Sequence, residues 1–444
     1  MNKMNFLKMA MVSTFALSCM LTTVSPIAIA QAQEAEQGYK QELTALRMNP
    51  KINKAISAIA AMESESEAVL IELTEIPAPP FMEEKRGIRF AEMLKAAGAD
   101  EVHTDEVGNV IALRKGKGPK GSNGKRRVVV LQAHLDTVFP EGTDVTVRRE
   151  GEKLFAPGIG DDTRGLVVVL TVLKAMETAD IETEADVWFI GGVGEEGLGD
   201  LRGVKHLFRE GATKIDSFIA IDGGTDNRLV FGGIGSNRYR VTFSGSGGHS
   251  WGNFGFANPH HALGRAIEHF AVAAKPVTET GKKSSFNIGR IGGGTSINSI
   301  PFTSWMEVDI RSGEPDRVAA VDAVFQVAMK KALMEENTAR TSGEPITMDI
   351  KKVGVRPAGV GNPKSPLVQR TMAAIGVYGL TPDLRVSSTD SNIPISMGIP
   401  AVTLSKGGIG GGAHSPGEWW QNKEGKRAIE IALLTLTAEA GMAK

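Results

Sequence analysis

The apolar positions of this chain fall into two kinds of run that alternate along it. Val128-Val129-Val130-Leu131, led in by Arg126-Arg127, has no polar alternation and predicts a strand buried on both faces of a parallel sheet. Val107 to Leu113, Asp186 to Gly191, Phe218 to Ile221 and Ala401 to Leu404 predict further strands. Between them the spacing turns helical. Asn49-Pro50 suits an N-cap and first helical position, and Ile52, Ala55, Ile56 and Ile59 then share one face. Ser64 with Glu67 predicts a second helix start through a capping box, running to Thr74. Arg86 to Ala97, Gly165 to Thr178, Pro366 to Ile375 and Gly425 to Gly441 give the remaining helices, whereas Gln33 to Arg47 is polar and predicts a loose lead. Strand and helix in alternation imply an α/β domain with a doubly wound, mostly parallel sheet.

The pattern changes near Asn237. Arg238 to Phe243 alternates as a half-exposed strand does, a helix follows from Pro259 to Ala274, and strands are expected at Ser285–Ile291 and Ser304–Ile310. A longer helix over Asp316–Glu336 and a strand at Ile346–Val353 complete a β-α-β-β-α-β order, which is ferredoxin-like. The expected layout is a first domain over residues 50–234, this α+β insertion over 235–355, and a return to the first domain over 356–444.

Length agrees with that division, since 444 residues exceed one ordinary core. Residues 1–32 stand apart: Lys3 and Lys8 begin a basic start, Phe6 to Leu21 is mostly apolar, and Ala28-Ile29-Ala30 or Ala30-Gln31-Ala32 offers small residues for cleavage. That is the layout of a secretory signal peptide, so a secreted or periplasmic protein is expected. Its removal changes the balance from 50 cations against 51 acids to 48 against 51. A charge so near zero gives no reason to expect nucleic acid or an anionic membrane as partner. The apolar run is short for a span, so no stable membrane anchor is expected. The leader also holds the only cysteine, Cys19. A lipid there is the alternative reading, with Ala16-Leu17-Ser18 a poor lead-in. Without Cys19 the chain has neither disulfide nor thiolate, and any metal must use His, Asp and Glu.

Those residue types gather at strand ends. His134 and Asp136 close the Val128 strand, and i and i+2 share a face of an extended backbone. An imidazole there can bind a metal through one nitrogen while a carboxylate fixes its tautomer through the other. Glu195-Glu196, Asp222 and His414 lie at further strand ends, and Asp161-Asp162 stands directly before a helix. Singly, each has a plain explanation as a helix cap, a solvated turn or a loop histidine. Together they hold what a two-metal site without cysteine requires: a bridging carboxylate, a His and a further carboxylate per ion, and a spare carboxylate as base.

The motifs HLD, GIGDD, GEEG, DGG and HSPGE, in that order around an inserted four-stranded domain, resemble the di-zinc exopeptidase family of peptidase T, carboxypeptidase G and aminoacylase. The likeness covers roughly residues 60–440. It implies that His134 and Asp222 hold one zinc, that Glu196 and His414 hold the other, and that Asp161 bridges them and is joined to Asp162 by a cis peptide. It implies Glu195 as general base and Asp136 as the support of His134. It further implies that the inserted domain acts as a lid and joins two chains in a homodimer. His249 in GSGGHS would then reach the partner's site, and Asn298 in GGGTSINSIP would touch substrate. Many relatives carry a Lys two residues after the bridging Asp, where this chain has Thr163 and then Arg164. Some place a carboxylate-gripping Arg just before a small-small-Thr-Asp turn, but here Arg385 sits one residue too far upstream of Ser387-Ser388-Thr389-Asp390.

The expected function is a zinc-dependent exopeptidase acting on short peptides, with two zinc ions for which cobalt or manganese would also suit. An amidohydrolase of N-acyl amino acids is the alternative among enzymes. A metal-dependent peptide-binding protein without chemistry is the alternative outside them, and the spare Glu195 speaks against it.

Overall fold

The Val128–His134 run forms a strand in which every residue is buried, inside an eight-stranded mixed sheet. In the computed structural model, which describes residues 34–122 and 124–443, its neighbours are Asp186–Gly192 and Ser217–Ile221, both parallel to it. Ala401–Leu404 continues the parallel centre beyond Ser217–Ile221. The leader assigned to residues 1–32, with Cys19, lies outside the described residues. Val129, Leu131 and Ala133 join one core, with Arg164–Thr178 and Gly425–Ala440 laid over it, and Val128 and Val130 join a second core on the opposite face. Successive side chains of a strand point to opposite faces, so a strand covered on both sides reads as a continuous apolar run, here Val128 to Leu131 before the polar Gln132 and His134 at the rim end. This is the doubly wound α/β arrangement the apolar runs imply.

The inserted domain is a four-stranded antiparallel sheet in the order Ser284–Gly293, Thr303–Ser312, Gly235–Ser244, Thr347–Arg356. Helices Pro259–Thr278 and Pro315–Ala339 pack together and cover one face. Thr303–Ser312 alternates half-buried and buried along its whole length, and Met306, Val308 and Ile310 face the helices in one core with Phe270 and Phe325. Ser284–Gly293 lies at one sheet edge, and a two-residue ribbon pairs His249 with Ser299 away from the sheet.

Three local expectations need correction. Gln37–Arg47 is a helix, not a loose lead: Leu43 is fully buried, and the helix lies against Pro366–Val377. One apolar stripe too narrow to read in a polar segment suffices when a neighbouring helix covers it. The helix expected from Ser64 begins at Glu63 behind Met62 with no side-chain cap, so the Ser64–Glu67 capping box does not form. The Val107 strand starts only at Val110, because the Asp105 carboxylate accepts the backbone N–H groups of Val107, Gly108 and Asn109 and folds them into a turn.

A small sheet absent from the apolar pattern joins Ile409–Gly411, Trp419–Gln421, Lys153–Phe155 and Arg148–Glu150. It ties the loop before Asp161 to the glycine-rich segment that carries His414.

Candidate metal centre

Three adjacent parallel strands deliver polar groups at one rim of the sheet. Val128–His134 ends in His134, Asp186–Gly192 runs on to Glu195-Glu196, and Ser217–Ile221 runs on to Asp222. Carboxyl ends of parallel strands are where open α/β sheets bind ligands. Asp161 precedes the helix Arg164–Thr178, and its peptide to Asp162 is cis. Gly165 leaves the space the Asp162 carboxylate occupies, since a Cβ there would lie 2.3 Å from its oxygens. His414 adopts φ +63° after the glycine run and turns back to the same rim.

Asp161 stands between the two histidines. Its Oδ1 lies 3.2 Å from His134 Nε2 and its Oδ2 3.1 Å from His414 Nε2. His414 Nε2 is also 3.0 Å from Glu196 Oε1. Ligand-capable atoms of His134, Asp161 and Asp222 lie within 4.8 Å of one another, and so do those of Asp161, Glu196 and His414. The two groups share Asp161 and nothing else. A third group of the same span joins His134, Glu195 and Glu196. Imidazole nitrogens and carboxylate oxygens without thiolate fit divalent cations of the zinc, cobalt or manganese type.

The electrostatics of the site call for positive charge. Burial pushes the Asp222 carboxyl up, and the Asp161 charge beside it pushes it further. Burial drives Asp162 and Glu195 well above the usual carboxylate range. Burial opposes ionisation of Asp161 as well, yet the hydrogen bonds to His134 and His414 hold its carboxyl well below that range. Those bonds to Asp161 and Glu196 raise the His414 imidazole to about 10. Burial disfavours the His134 imidazolium, but its hydrogen bond to Asp161 and the charges of Asp162, Asp136 and Asp161 hold its pKa well above the ordinary value. Buried carboxylates in this number need compensating positive charge, which a protonated imidazole or a bound divalent cation can supply.

The role expected of Asp136 is divided differently. His134 Nδ1 donates to the backbone carbonyl oxygen of Asp136 at 2.9 Å, while the Asp136 carboxylate lies 3.7 Å away. A carbonyl can only accept, so Nδ1 carries the proton and Nε2 faces Asp161. The carboxylate instead accepts the backbone N–H groups of Glu195 at 3.0 Å and Glu196 at 2.8 Å. A carbonyl two residues on reaches Nδ1 more easily than the side chain does, which frees the carboxylate to hold the glutamate pair.

Four residues with no assigned role in the sequence support the rim. Arg356, from the end of the last lid strand, pairs with Glu195 Oε1 at 2.7 Å, donates to the Glu195 carbonyl oxygen, and reaches Ser388 Oγ at 3.0 Å. Glu418 accepts the backbone N–H groups of Gly158, Gly160 and Asp161, each at 2.8 Å, and so fixes the loop that carries Asp161. Buried Arg86 donates to the carbonyl oxygens of Leu135 and Ile76. Lys406 brings its ammonium beside Gly160, where its charge acts on Asp161, Asp222 and Glu418. A cation therefore stands near the bridging position although Thr163 replaces the lysine of many relatives. Thr163 itself donates to the Gly158 carbonyl oxygen, and Arg164 to those of Lys406 and Gly425. Only Glu418 had a visible signal, as the last letter of HSPGE.

A cavity of about 750 Å3 opens over the rim, lined by Asp161, Glu195, Glu196, Asp222 and His414 together with Trp419. Arg385 is outside it, paired with Asp383 at 2.8 Å on the surface. His249 and Asn298 are also outside it, exposed together on the His249–Ser299 ribbon. The His249 Nδ1 accepts the backbone N–H groups of Trp251 and Gly252.

Residues 130–438 match the sequence profile of Peptidase family M20/M25/M40. Carboxypeptidase G2 of a Pseudomonas species is 25% identical over 234 residues, which is 51% of this chain and only about half, 53%, of that protein. The uncharacterised protein YqjE of Bacillus subtilis is 24% identical over 312 residues, 68% of this chain and 77% of its own. In fold, the chain resembles aminopeptidase PepT of Bacillus cereus with a TM-score of 0.65 at 20% identity, over 85% of this chain and 99% of that one. It resembles human carnosine dipeptidase 1 with a TM-score of 0.66 at 14% identity, over 88% and 99%.

Proposed function

The chain belongs to Peptidase family M20/M25/M40, and from that membership we propose that it is a two-metal exopeptidase hydrolysing amide bonds of short peptides, with Glu195 as general base. The observation that carries the reading is the position of Asp161, with one oxygen turned to each histidine and each histidine backed by its own second carboxylate, Asp222 or Glu196. In this reading His134, Asp161 and Asp222 hold one ion, and Asp161, Glu196 and His414 hold the other. Two divalent ions, zinc by preference, would lower the pKa of a water shared between them and polarise the scissile carbonyl.

The chain's own residues supply the rest. Glu195 takes the proton of the attacking water on its carboxylate and returns it to the departing amine nitrogen. Asp136 fixes the backbone of both glutamates, so the two side chains diverge from an anchored pair of N–H groups. Arg356 holds one Glu195 oxygen, and Glu195 lines the cavity. Export by the leader and pairing of two chains through the lid belong to the same proposal. The pairing is supported by the exposed ribbon, where Trp251 and Phe254 are each 87% exposed beside His249.

Glu195→Gln is expected to retain both metal equivalents by elemental analysis and to lose about 10²- to 10⁴-fold in kcat on di- and tripeptides. Ordinary turnover by that variant would remove Glu195 from the role. Metal-replete wild-type protein that cleaved N-acetyl amino acids and left peptides intact would move the function to the deacylase reading.

A further inference from the structure

The cavity over the rim holds five acids and five Lys or Arg side chains among its lining residues, and nearly every one is already engaged. Asp161, Glu196 and Asp222 are the proposed metal ligands. Glu195 is held by Arg356, and Glu418 accepts three backbone N–H groups of the Asp161 loop. No lining carboxylate is left to receive a substrate ammonium. Among the cations, Arg356 is bound to Glu195, Arg238 and Arg311 share Asp309, and Lys406 faces the acids around Gly160. Arg228 is the exception. It makes no ion pair among the described residues, and its Nη2 donates to the neutral Ser387 hydroxyl at 3.0 Å.

Its position is built. Arg228 begins the strand Arg228–Gly233, and its side chain lies over Gly223-Gly224, the two residues that follow Asp222. A Cβ on Gly224 would stand 2.3 Å from Arg228 Cδ, and one on Gly223 3.5 Å from Nη1, so the bare DGG turn makes the channel the side chain occupies. The guanidinium thus sits within about one extended residue, ~3.5 Å of backbone, of the Asp222 loop. A guanidinium offers a planar fork that matches a carboxylate.

We propose that Arg228, steadied by Ser387, grips the free α-carboxylate of the residue being released, so that this enzyme cleaves from the carboxyl end. The assignment rests on the two-metal reading of the neighbouring rim. It gives to a residue on a different strand the role that Arg385, paired with Asp383 at the surface, does not fill. The amine released by cleavage then carries its carboxylate in the guanidinium fork, while the amino end of the substrate points out of the cavity.

The test compares the metal-loaded protein on a benzyloxycarbonyl-dipeptide and on the carboxamide of the same dipeptide. The acid is expected to exceed the amide in kcat/KM by about 10²-fold or more, because an amide leaves the guanidinium without its anion. Arg228→Gln is expected to raise KM for the acid and to bring the two substrates to within about threefold, and Arg228→Lys to restore part of the difference. Equal use of acid and amide by the wild type, or an unchanged ratio in Arg228→Gln, would overturn the clamp. Binding of an N-acetyl amino acid and of its amide, measured by calorimetry on the loaded protein, reads the same contact without turnover. A preference for the acid that Arg228→Gln abolishes upholds the clamp even if hydrolysis, and with it the two-metal reading, should fail. No preference in that titration sinks it.

Discussion

Asp136 makes no direct contact with Asp161 or His414, yet it sets the geometry of the residues around them. Its backbone carbonyl fixes the His134 proton on Nδ1, and its carboxylate holds two consecutive N–H groups. Asp136→Asn can accept only one of those N–H groups and presents an amide N–H to the other. The expected result is a 10- to 100-fold loss in metal affinity or kcat, by chelator competition and steady-state assay, with the fold retained. His414 gives a pH-dependent prediction of its own. In metal-free protein its pKa is raised to about 10 by Asp161 and Glu196, above the ordinary imidazole value. The bound proton therefore stabilises the metal-free fold fully below an unfolded pKa of about 6.5, and that contribution disappears as pH rises towards about 10. Metal must displace the same proton, so apparent affinity should rise by up to tenfold per pH unit, about one proton released per His414, between pH 6.5 and 9. Calorimetry in two buffers of different ionisation heat measures that release, and a pH-independent affinity would refute it.

At the scale of elements, the strands that carry the site were the easiest to read. Val128–Leu131 is apolar at every position because both of its faces are covered, with polar Gln132 and His134 entering only towards the rim, and Thr303–Ser312 alternates because one face is not. The helix Gln37–Arg47 was illegible for the opposite reason. Its single fully buried residue, Leu43, lies in a helix packed mainly against Pro366–Val377 and also against Gly425–Ala440, both more than three hundred residues away in sequence. Leu43→Ala should cost about 2–5 kcal/mol in urea denaturation, and a loss below about 0.5 kcal/mol would mean the helix is peripheral. The small sheet of Lys153–Phe155 against Trp419–Gln421 was equally hidden, because three-residue strands carry too few positions to show a period.

At the scale of the whole molecule, the inserted domain touches the loop of Glu195 and Glu196 directly. Arg356 reaches Glu195, Arg238 donates to the Gly197 carbonyl oxygen, and the Val355 N–H donates to Asp200. Movement of the lid would therefore move the proposed base. The opposite end of the lid carries His249 and Asn298 away from the cavity of their own chain. If a second chain receives His249, Glu195→Ala and His249→Ala should complement when mixed. Each mixed dimer would hold one intact site, so activity should recover to about a quarter of wild type after random exchange. A mixture as inactive as its components, with mixed dimers present by native mass spectrometry, would exclude a shared site.

Periodicity and motif order in the chain determined the doubly wound sheet, the inserted α+β domain and the five residues that meet at the rim. Buried strands and amphipathic helices leave a local repeat, and HLD, GIGDD, GEEG, DGG and HSPGE each keep their chemistry within a few adjacent residues. Tertiary structure alone decided what surrounds them. Arg356 and Glu195 lie 161 residues apart, Glu418 and Gly160 lie 258 apart, and Arg228 meets Ser387 across 159. A hydrogen bond across such a separation has no period and no neighbouring letter to announce it. Only the folded backbone, by bringing the strand ends together, gives Glu195 to Arg356 and leaves Arg228, among the described residues, without an ion pair.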